Sequence, residues 1–192
     1  MLQLISNFYF PILISIFPFL SVSQPSGEAR NKWSFEIHGG GVLNAKLPLV
    51  IKQTGYEDIR IEKAVFMSEP LKSPYYWDWR VSKWMDNGCL EFEAVHHKLY
   101  LINKPAEVER FGISHGFNML LVNWGQKTKW FIVRTGLGSV LLHPESTIRG
   151  FKFSEGPGFD VYGYYLKGVT ANFAIARQIR IRSRFYLNCE GK

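Results

Sequence analysis

The chain has 192 residues, with 23 lysines and arginines against 16 aspartates and glutamates, giving a formal charge of +7. It is 46% hydrophobic and 16% aromatic, and it carries two cysteines, Cys89 and Cys189, which we expect to be unpaired. This length suits one domain rather than two, and the composition excludes a disordered chain, a disulfide-dense scaffold and a four-cysteine zinc site.

An apolar run near the N-terminus, from Phe8 to Leu20, predicts a secretory signal peptide. The run has 13 residues and two internal prolines, whereas a membrane-spanning helix needs about 20 uninterrupted apolar residues. Small residues stand at positions −3 and −1 of a cleavage site before Gln24. The sequence therefore divides into a signal peptide, residues 1–23, and an exported domain, residues 24–192. A buried N-terminal hydrophobic segment is the alternative.

Beyond residue 30 the sequence predicts strands, with no amphipathic helical run. Apolar and polar residues alternate in segments separated by turn residues. The nine predicted strands are Trp33–Ile37, Leu47–Gln53, Ile59–Ser68, Tyr75–Met85, Cys89–Leu101, Phe111–Asn123, Trp130–Leu142, Phe159–Ala176 and Ile181 to the end.

The connections between these strands differ systematically in length. Short ones, expected at one end of the sheet, lie near Gly55, Asp86–Gly88, Gly125–Thr128 and Arg177–Gln178. Those at the other end, three of them longer and proline-bearing, lie near Asn44–Lys46, Glu69–Pro74, Ile102–Arg110 and His143–Gly158. This asymmetry, together with aromatic residues near strand ends, is typical of bacterial outer-membrane barrels. We expect an all-β fold, an antiparallel up-and-down transmembrane β-barrel of eight to ten strands.

The strand count raises a difficulty. Nine is odd, whereas bacterial single-chain barrels have an even number of strands. The last segment stops in mid-pattern at Gly191-Lys192, and an open barrel edge in hydrocarbon would leave costly unpaired backbone groups. We therefore expect the barrel to be truncated at its C-terminus, with about ten strands in the complete form. The alternative is one long strand wrongly divided near Asn44–Lys46, which gives eight.

Three motifs occur in order along the chain: HHKLYL from His96, ISHGFN from Ile113, and LHPE from Leu142. With these motifs, the stretch from Trp33 to Lys192 resembles a family of poorly characterised bacterial outer-membrane β-barrel proteins, loosely grouped with acyloxyacyl hydrolases and lipid A deacylases. The resemblance implies a chain that continues past Lys192 and a hydrolase acting on lipid acyl esters. Lipid A deacylases carry a His-x-Ser motif followed by an acid, whereas this sequence has Ser-His.

The predicted topology brings several polar residues to one rim of the sheet. Ser114, His115 and Glu145 supply a hydroxyl, an imidazole and an orienting carboxylate, the minimum for nucleophilic ester hydrolysis. The other predicted rim residues, assigned to binding, are His96, His97, Asn118, His143 and Arg149. The alternative is that all of them brace the loops. Adjacent histidines on a strand point to opposite faces, so His96 and His97 cannot bind one ion together. A metal site that pairs one of them with His115 across strands is the alternative; we expect no metal and no cofactor.

The interior of the barrel is predicted to be charged and plugged rather than open. Arg180, Arg182 and Arg184 alternate along one strand face, where they are expected to pair with glutamates in the lumen. The glutamates assigned to the lumen are Glu36, Glu91 and Glu93. The glycines Gly136 and Gly138 are expected to allow close packing inside a narrow barrel. An exported protein seldom meets nucleic acid, so these arginines do not predict a nucleic-acid partner.

Together these patterns predict a protein of the cell outer membrane with a structural or lipid-binding role at the outer leaflet. The expected partners are outer-membrane lipids, including lipopolysaccharide, and the barrel-assembly machinery during biogenesis. One alternative is an esterase that removes acyl chains from lipid A, with the Ser/His site at the extracellular rim. The other is a secreted, soluble lipocalin-like binder.

Overall fold

The computed structural model describes residues 17–22, 32–69, 75–154, 164–182 and 185–192. The fold of the described residues is all-β, with 74% of them in strands and none in a helix. The strands are β1 (Phe17–Val22), β2 (Lys32–His38), β3 (Leu47–Ile51), β4 (Ile59–Ala64), β5 (Phe66–Met67), β6 (Trp77–Met85), β7 (Gly88–Leu101), β8 (Val108–Lys127), β9 (Ile132–Leu142), β10 (Glu145–Ile148), β11 (Phe151–Ser154), β12 (Tyr165–Arg182) and β13 (Phe185–Gly191).

Within the described residues, the structure contains no helix with the length and apolar character needed to cross a bilayer.

Eleven of the described strands form one antiparallel sheet. Eight of them, which we call the main sheet, make its path in the order β1-β13-β12-β9-β8-β7-β6-β2, and β5, β10 and β11 pair with it off that path. Short connections join β6 to β7 and β8 to β9 at one end, which we call the turn end. The connections at the opposite end, the loop end, are longer and carry β3, β4, β5, β10 and β11. The predicted asymmetry of connections is therefore present in the main sheet.

The hydrogen-bonded path ends at β1 and β2, and no sheet closes into a barrel. The two end strands nevertheless lie beside each other, with Cα atoms within 8 Å. β1 pairs with β13 from Phe17 opposite Glu190 to Val22 opposite Phe185. It falls inside the segment predicted as a signal peptide, and the cleavage of that segment stays a prediction.

Two of the nine predicted strands belong to a different part of the fold. β3 and β4 pair with each other in a separate two-stranded sheet at the loop end. The connection near Gly55 was therefore assigned to the wrong end, and Asn44–Lys46 divides two sheets rather than one long strand. The period-2 pattern marks a strand and one buried face, but it does not specify which sheet the strand joins.

Two further strand boundaries differ from the prediction. β12 runs without a break through Arg177 and Gln178, where a turn was expected, and ends at Arg182. The expected loop His143–Gly158 contains the short hairpin β10–β11, and β10 also pairs with β8. Strands of four residues are too short for an alternating pattern to reveal them.

The β3–β4 hairpin, the β10–β11 hairpin and the adjoining ends of β7 and β8 form a unit that we call the cap. Its core is an apolar cluster of buried side chains: Leu49, Ile51, Ile59, Ala64, Leu101, Val108, Phe111 and Ile148. Charged side chains such as Arg60 and Glu62 lie on its exposed surface. The cap is thus apolar inside and polar outside, as expected of a structure in water.

Candidate functional site

The outward side of the main sheet is apolar and exposed, and we call it the apolar belt. Five residues that lie directly opposite one another across neighbouring strands are all apolar: Phe35, Val81, Phe92, Val122 and Leu137. Leu137 is 71% exposed and Val122 is 55% exposed. Single exposed apolar residues are ordinary, but a continuous face of them marks contact with an apolar phase or a partner.

The inward side of the same strands carries buried polar and charged groups, which we call the ionic layer. Glu36 lies opposite Arg80, and Arg80 lies opposite Glu93. The buried members are Ser34, Glu36, His38, Asp78, Arg80, Ser82, Glu91, Glu93, Asn123, Arg134, Asn188 and Glu190. Because an isolated buried charge is very costly, such a layer is tolerated only where the charges are paired and hydrogen-bonded.

Arg80 is the centre of the ionic layer and is fully buried. Its guanidinium donates to Glu36 Oε2 at 3.0 Å and to the two carboxylate oxygens of Glu190 at 2.7 and 3.0 Å. The same group lies 3.0 Å from Glu93 Oε1 and 3.7 Å from Glu91 Oε2. One guanidinium thus contacts four carboxylates from three strands, β2, β7 and β13, which fits its planar set of five donors.

Arg134, on β9, forms the second cationic centre and is also fully buried. Its Nε donates to Glu91 Oε2 at 2.9 Å, and its Nη1 donates to Glu190 Oε2 at 2.8 Å. Glu91 also accepts a bond from the Ser82 hydroxyl at 3.1 Å. Two arginines and their shared carboxylates therefore form one connected network rather than separate ion pairs, so removing one member affects the others.

Part of this network joins β13 to β2 across β1, which pairs with β13 but forms no ladder with β2. Asn188 Nδ2 on β13 donates to Glu36 Oε2 on β2 at 3.2 Å, and Gln178 Nε2 on β12 lies 3.4 Å from Glu36 Oε1. The Arg80–Glu190 pair joins β6 to β13 in the same way. Side chains on the inner face therefore connect β12 and β13, near one end of the sheet path, to β2 and β6 at the other.

Three carboxylates, those of Asp78, Glu93 and Glu190, present oxygen atoms within 4.8 Å of one another. The Lys192 ammonium lies among them, bonded to Asp78 and Glu93 and 3.4 Å from Glu190. An arrangement of this kind can hold a hard cation, but here the ammonium supplies the positive charge.

Toward the loop end the inner face becomes apolar. Its buried members form a cluster: Tyr76, Val95, Leu99, Ile113, Phe117, Met119, Leu121, Val140 and Leu142. The inner face therefore consists of an ionic layer toward the turn end and an apolar layer toward the loop end. Gly138 lies on this face, and a Cβ there would come 2.0 Å from the Leu120 carbonyl oxygen, which agrees with the close packing expected at this glycine.

The sequence identified the carboxylates of the ionic layer correctly but selected the wrong arginines. Glu36, Glu91 and Glu93 are all buried on the inner face. Arg180 and Arg182 are exposed at the turn end of β12, beyond the network, and Arg184 lies outside the described residues. The partners of the glutamates are Arg80 and Arg134, together with Lys192.

Arg80 could have been found from its own strand. In β6, Trp77, Trp79 and Val81 alternate with Asp78, Arg80 and Ser82. That pattern places an arginine and an aspartate on the side opposite three large apolar residues. The arginine-rich end of β12 was the more conspicuous signal, but its position along the sheet is a tertiary property.

Two of the predicted rim histidines, His96 and His97, are buried in β7. The His96 ring stacks on Trp77 with ring centroids 5.2 Å apart, and His96 Nδ1 lies 2.7 Å from Asn118 Oδ1. The His97 ring packs against Phe117 at 4.9 Å. As predicted, the two point to different faces, and each packs against one aromatic ring.

The structure describes the side chain of only one member of the predicted catalytic trio, Glu145. Ser114 and His115 lie in β8 at a bulge where residues 114–116 stand opposite the single residue Lys98, and their side chains are outside the described part of the structure. Glu145 forms an ion pair with Arg110. His143 is buried against Tyr164, and its backbone N–H donates to the Gly116 carbonyl at 3.2 Å.

Arg149 occupies a different place from the predicted rim position. It lies in the turn between β10 and β11, within the cap, where it contacts the β3–β4 hairpin and the β7–β8 connection. Its contacts are with protein groups at the surface of the cap, so its visible role is structural.

Comparison of the chain with protein-family models, with curated proteins and with solved structures gives no match. The resemblance to outer-membrane barrel proteins and lipid A deacylases therefore stays a prediction from the sequence motifs.

Proposed function

We propose that the chain is an outer-membrane β-barrel protein whose main sheet spans the bilayer, with a structural or lipid-binding role at the outer leaflet. The observation that carries the proposal is the reversed polarity of the main sheet, which is charged inside and apolar outside. A sheet in water has the opposite arrangement, because burial of apolar side chains drives its folding. A barrel in lipid has the arrangement seen here.

The proposal includes closure of the main sheet into a narrow barrel. Three features support closure: β1 and β2 lie side by side, side-chain bonds connect β13 to β2, and open edges are costly in hydrocarbon. An eight-stranded barrel is just wide enough for its interior to be filled by side chains. We therefore expect a packed interior that conducts no ions rather than a pore.

Export through the predicted signal peptide, residues 1–23, is part of the same proposal. Cleavage before Gln24 would remove β1, leaving seven of the eight strands of the main-sheet path. The mass of the intact membrane-resident protein gives its N-terminal residue directly. A protein that begins at Gln24 requires another strand between β13 and β2, whereas one that retains residues 17–22 keeps the eight-stranded path.

Outer-membrane lipids, including lipopolysaccharide, are the proposed partners, with the barrel-assembly machinery during biogenesis and no nucleic acid. The reversed polarity argues against a soluble lipocalin-like binder, whose apolar face would be turned inward. Ester hydrolysis is not part of the proposal, because Glu145 is engaged by Arg110. Unchanged acylation of lipid A in cells that produce the protein, measured by mass spectrometry, is the expected result.

Membrane fractionation tests the proposal. The protein is expected to stay with the outer membrane through urea and carbonate washes and to migrate faster on gels before heating than after. Tryptophans of the belt, such as Trp33 and Trp124, should be quenched by lipids brominated on their acyl chains. Release of folded protein into the aqueous phase would overturn the membrane assignment.

A further inference from the structure

The β3–β4 hairpin covers an apolar surface made by other strands. Ile51 and Ile59 of the hairpin are buried against a surface formed by Leu101, Phe111 and Ile148. All eight buried members of this cluster are hydrocarbon side chains, so the cluster presents an apolar surface beneath the hairpin. An apolar occupant could replace the hairpin on this surface without leaving polar groups unpaired.

Backbone hydrogen bonds attach the hairpin to the rest of the protein at its base. The Ile102 N–H donates to the Val65 carbonyl at 2.8 Å. The Asn103 side chain accepts from the Val65 N–H and donates to the Lys63 carbonyl, both at 2.8 Å. Among the described strands, β3 and β4 form ladders only with each other. The base is therefore a natural hinge, and the hairpin can separate from the main sheet without breaking a ladder.

The Arg149 side chain contacts the tip of the hairpin, where the Phe151 ring also lies 6.2 Å from the Tyr56 ring. Its guanidinium donates to Gln53 Oε1 at 3.3 Å and to the Glu57 carbonyl at 2.9 Å, and it lies 5.0 Å from the centre of the Tyr56 ring. The same guanidinium donates to Glu107 Oε1 at 3.0 Å. Arg149 thus ties the hairpin tip to the β7–β8 connection.

The backbone at Arg149 is unusual for an arginine. Arg149 has a φ of 50° and Gly150 a φ of 75°, so both central residues of the β10–β11 turn are left-handed. Asparagine, aspartate or glycine is the usual choice at the first of these positions. An arginine at this position has a strained backbone. Its side-chain contacts with the hairpin tip offset that strain.

We propose that the β3–β4 hairpin is a hinged cover over an acyl-chain-binding surface, with Asn103 at the hinge and Arg149 as the latch at the tip. The inference rests on the proposed function, because an outer-membrane protein has lipid acyl chains within reach of its loop end. Arg149 acts as a positioning residue: it holds the cover closed, and the apolar cluster binds the chain when the cover opens.

The variant Arg149→Asn distinguishes a role of Arg149 as a latch from a role in shaping the turn. Asparagine suits the left-handed backbone better than arginine but cannot reach the hairpin. If Arg149 only shaped the turn, this variant would leave the hairpin as stable as before or more so. As a latch, its loss should speed amide hydrogen exchange across residues 47–64 about tenfold in the membrane-inserted protein. Arg60→Asn is the matched control, because Arg60 lies on the same hairpin and pairs with neighbouring Asp58.

Binding of a fluorescent fatty acid tests whether the apolar cluster binds an acyl chain when the hairpin opens. Arg149→Asn should bind the probe faster than the wild type. A covalent lock between the hairpin and β11 should abolish binding of the probe. The lock is a short bis-maleimide that joins the cysteines of Tyr56→Cys and Phe151→Cys, whose native rings are 6.2 Å apart. The background carries Cys89→Ser and Cys189→Ser, so that no other thiol reacts. Unchanged exchange in Arg149→Asn overturns the latch, and equal probe binding by locked and unlocked protein overturns the acyl site. Both measurements use protein that has inserted, so neither failure counts against the membrane assignment.

Discussion

The main sheet and the cap are built from the same kinds of strand but have opposite polarity. In the main sheet Arg80 and Glu93 are buried while Leu137 is exposed, whereas in the cap Ile51 is buried and Arg60 is exposed. Hydrophobic burial explains the cap without further assumptions. In water, the exposed apolar face of the main sheet would gain nothing from folding. The opposite polarity of the two regions is the observation on which the membrane proposal is based.

The largest expected effect comes from breaking the ionic layer at its centre. Arg80→Met keeps most of the side-chain volume but leaves the carboxylates around it without their shared cation. Removing one partner of a buried ion pair costs about 3–5 kcal/mol. We expect a loss of this size in the unfolding free energy, measured by urea titration of the membrane-inserted protein. Arg180→Met is the control, because Arg180 is exposed; equal losses in both variants would contradict the network as described.

The arginines also show what the sequence could and could not predict. Alternation gave the inner face correctly for Glu91 and Glu93, because a strand has a period of two. Alternation also assigns Arg180 to the inner face, because Arg180 lies two residues beyond Gln178 on the same strand. Burial depends instead on how far along the sheet a residue lies and on which strands surround it. That is why Arg180 is exposed while Arg80, in a less conspicuous stretch, is the centre of the network.

The cap illustrates the same limit at the level of whole strands. β3 and β4 were recognised as strands from their alternation, but their assignment to the main sheet was wrong. The two strands interact with residues about 50 to 100 positions away, including Phe111 and Ile148. A local pattern carries no information about such distant partners, so the hairpin latch around Arg149 could not be predicted from the sequence.

A charged residue placed on the apolar belt tests directly whether this face lies in lipid or in water. Leu137 is 71% exposed, so in water Leu137→Arg would have little effect. At the middle of a bilayer an arginine on the lipid face of a barrel costs about 2–4 kcal/mol. We expect a loss of that size in the unfolding free energy in lipid vesicles. Ile102→Arg, at an exposed position in the β7–β8 connection, should be nearly neutral, and a neutral Leu137→Arg would count against the belt facing lipid.

A smaller loss of unfolding free energy is expected from a substitution at Gly138, where β8 and β9 approach each other closely. Its missing Cβ would lie 2.0 Å from the Leu120 carbonyl oxygen and 2.9 Å from the Leu121 Cα atom. Since both are backbone atoms, the strands themselves must shift in Gly138→Ala. Overpacking of this kind costs about 1–3 kcal/mol. Thr135→Ala, at an exposed position on the same strand, is the control in the same urea titration.

The smallest effect should be confined to the cap. Ile51→Val removes one methylene from a side chain that is 1% exposed within the apolar cluster, and such changes cost about 0.5–1.5 kcal/mol. Because the buried apolar cluster of the cap is distinct from that of the main sheet, with Phe66 packed against both, we expect faster hydrogen exchange in residues 47–64 and an unchanged rate in β7 near Glu93. Val50→Ala, at a half-buried position of the same strand, should change exchange less. An equal rise in exchange in both regions would mean that they unfold as one unit, and the hairpin could not open as a cover while the sheet stays folded.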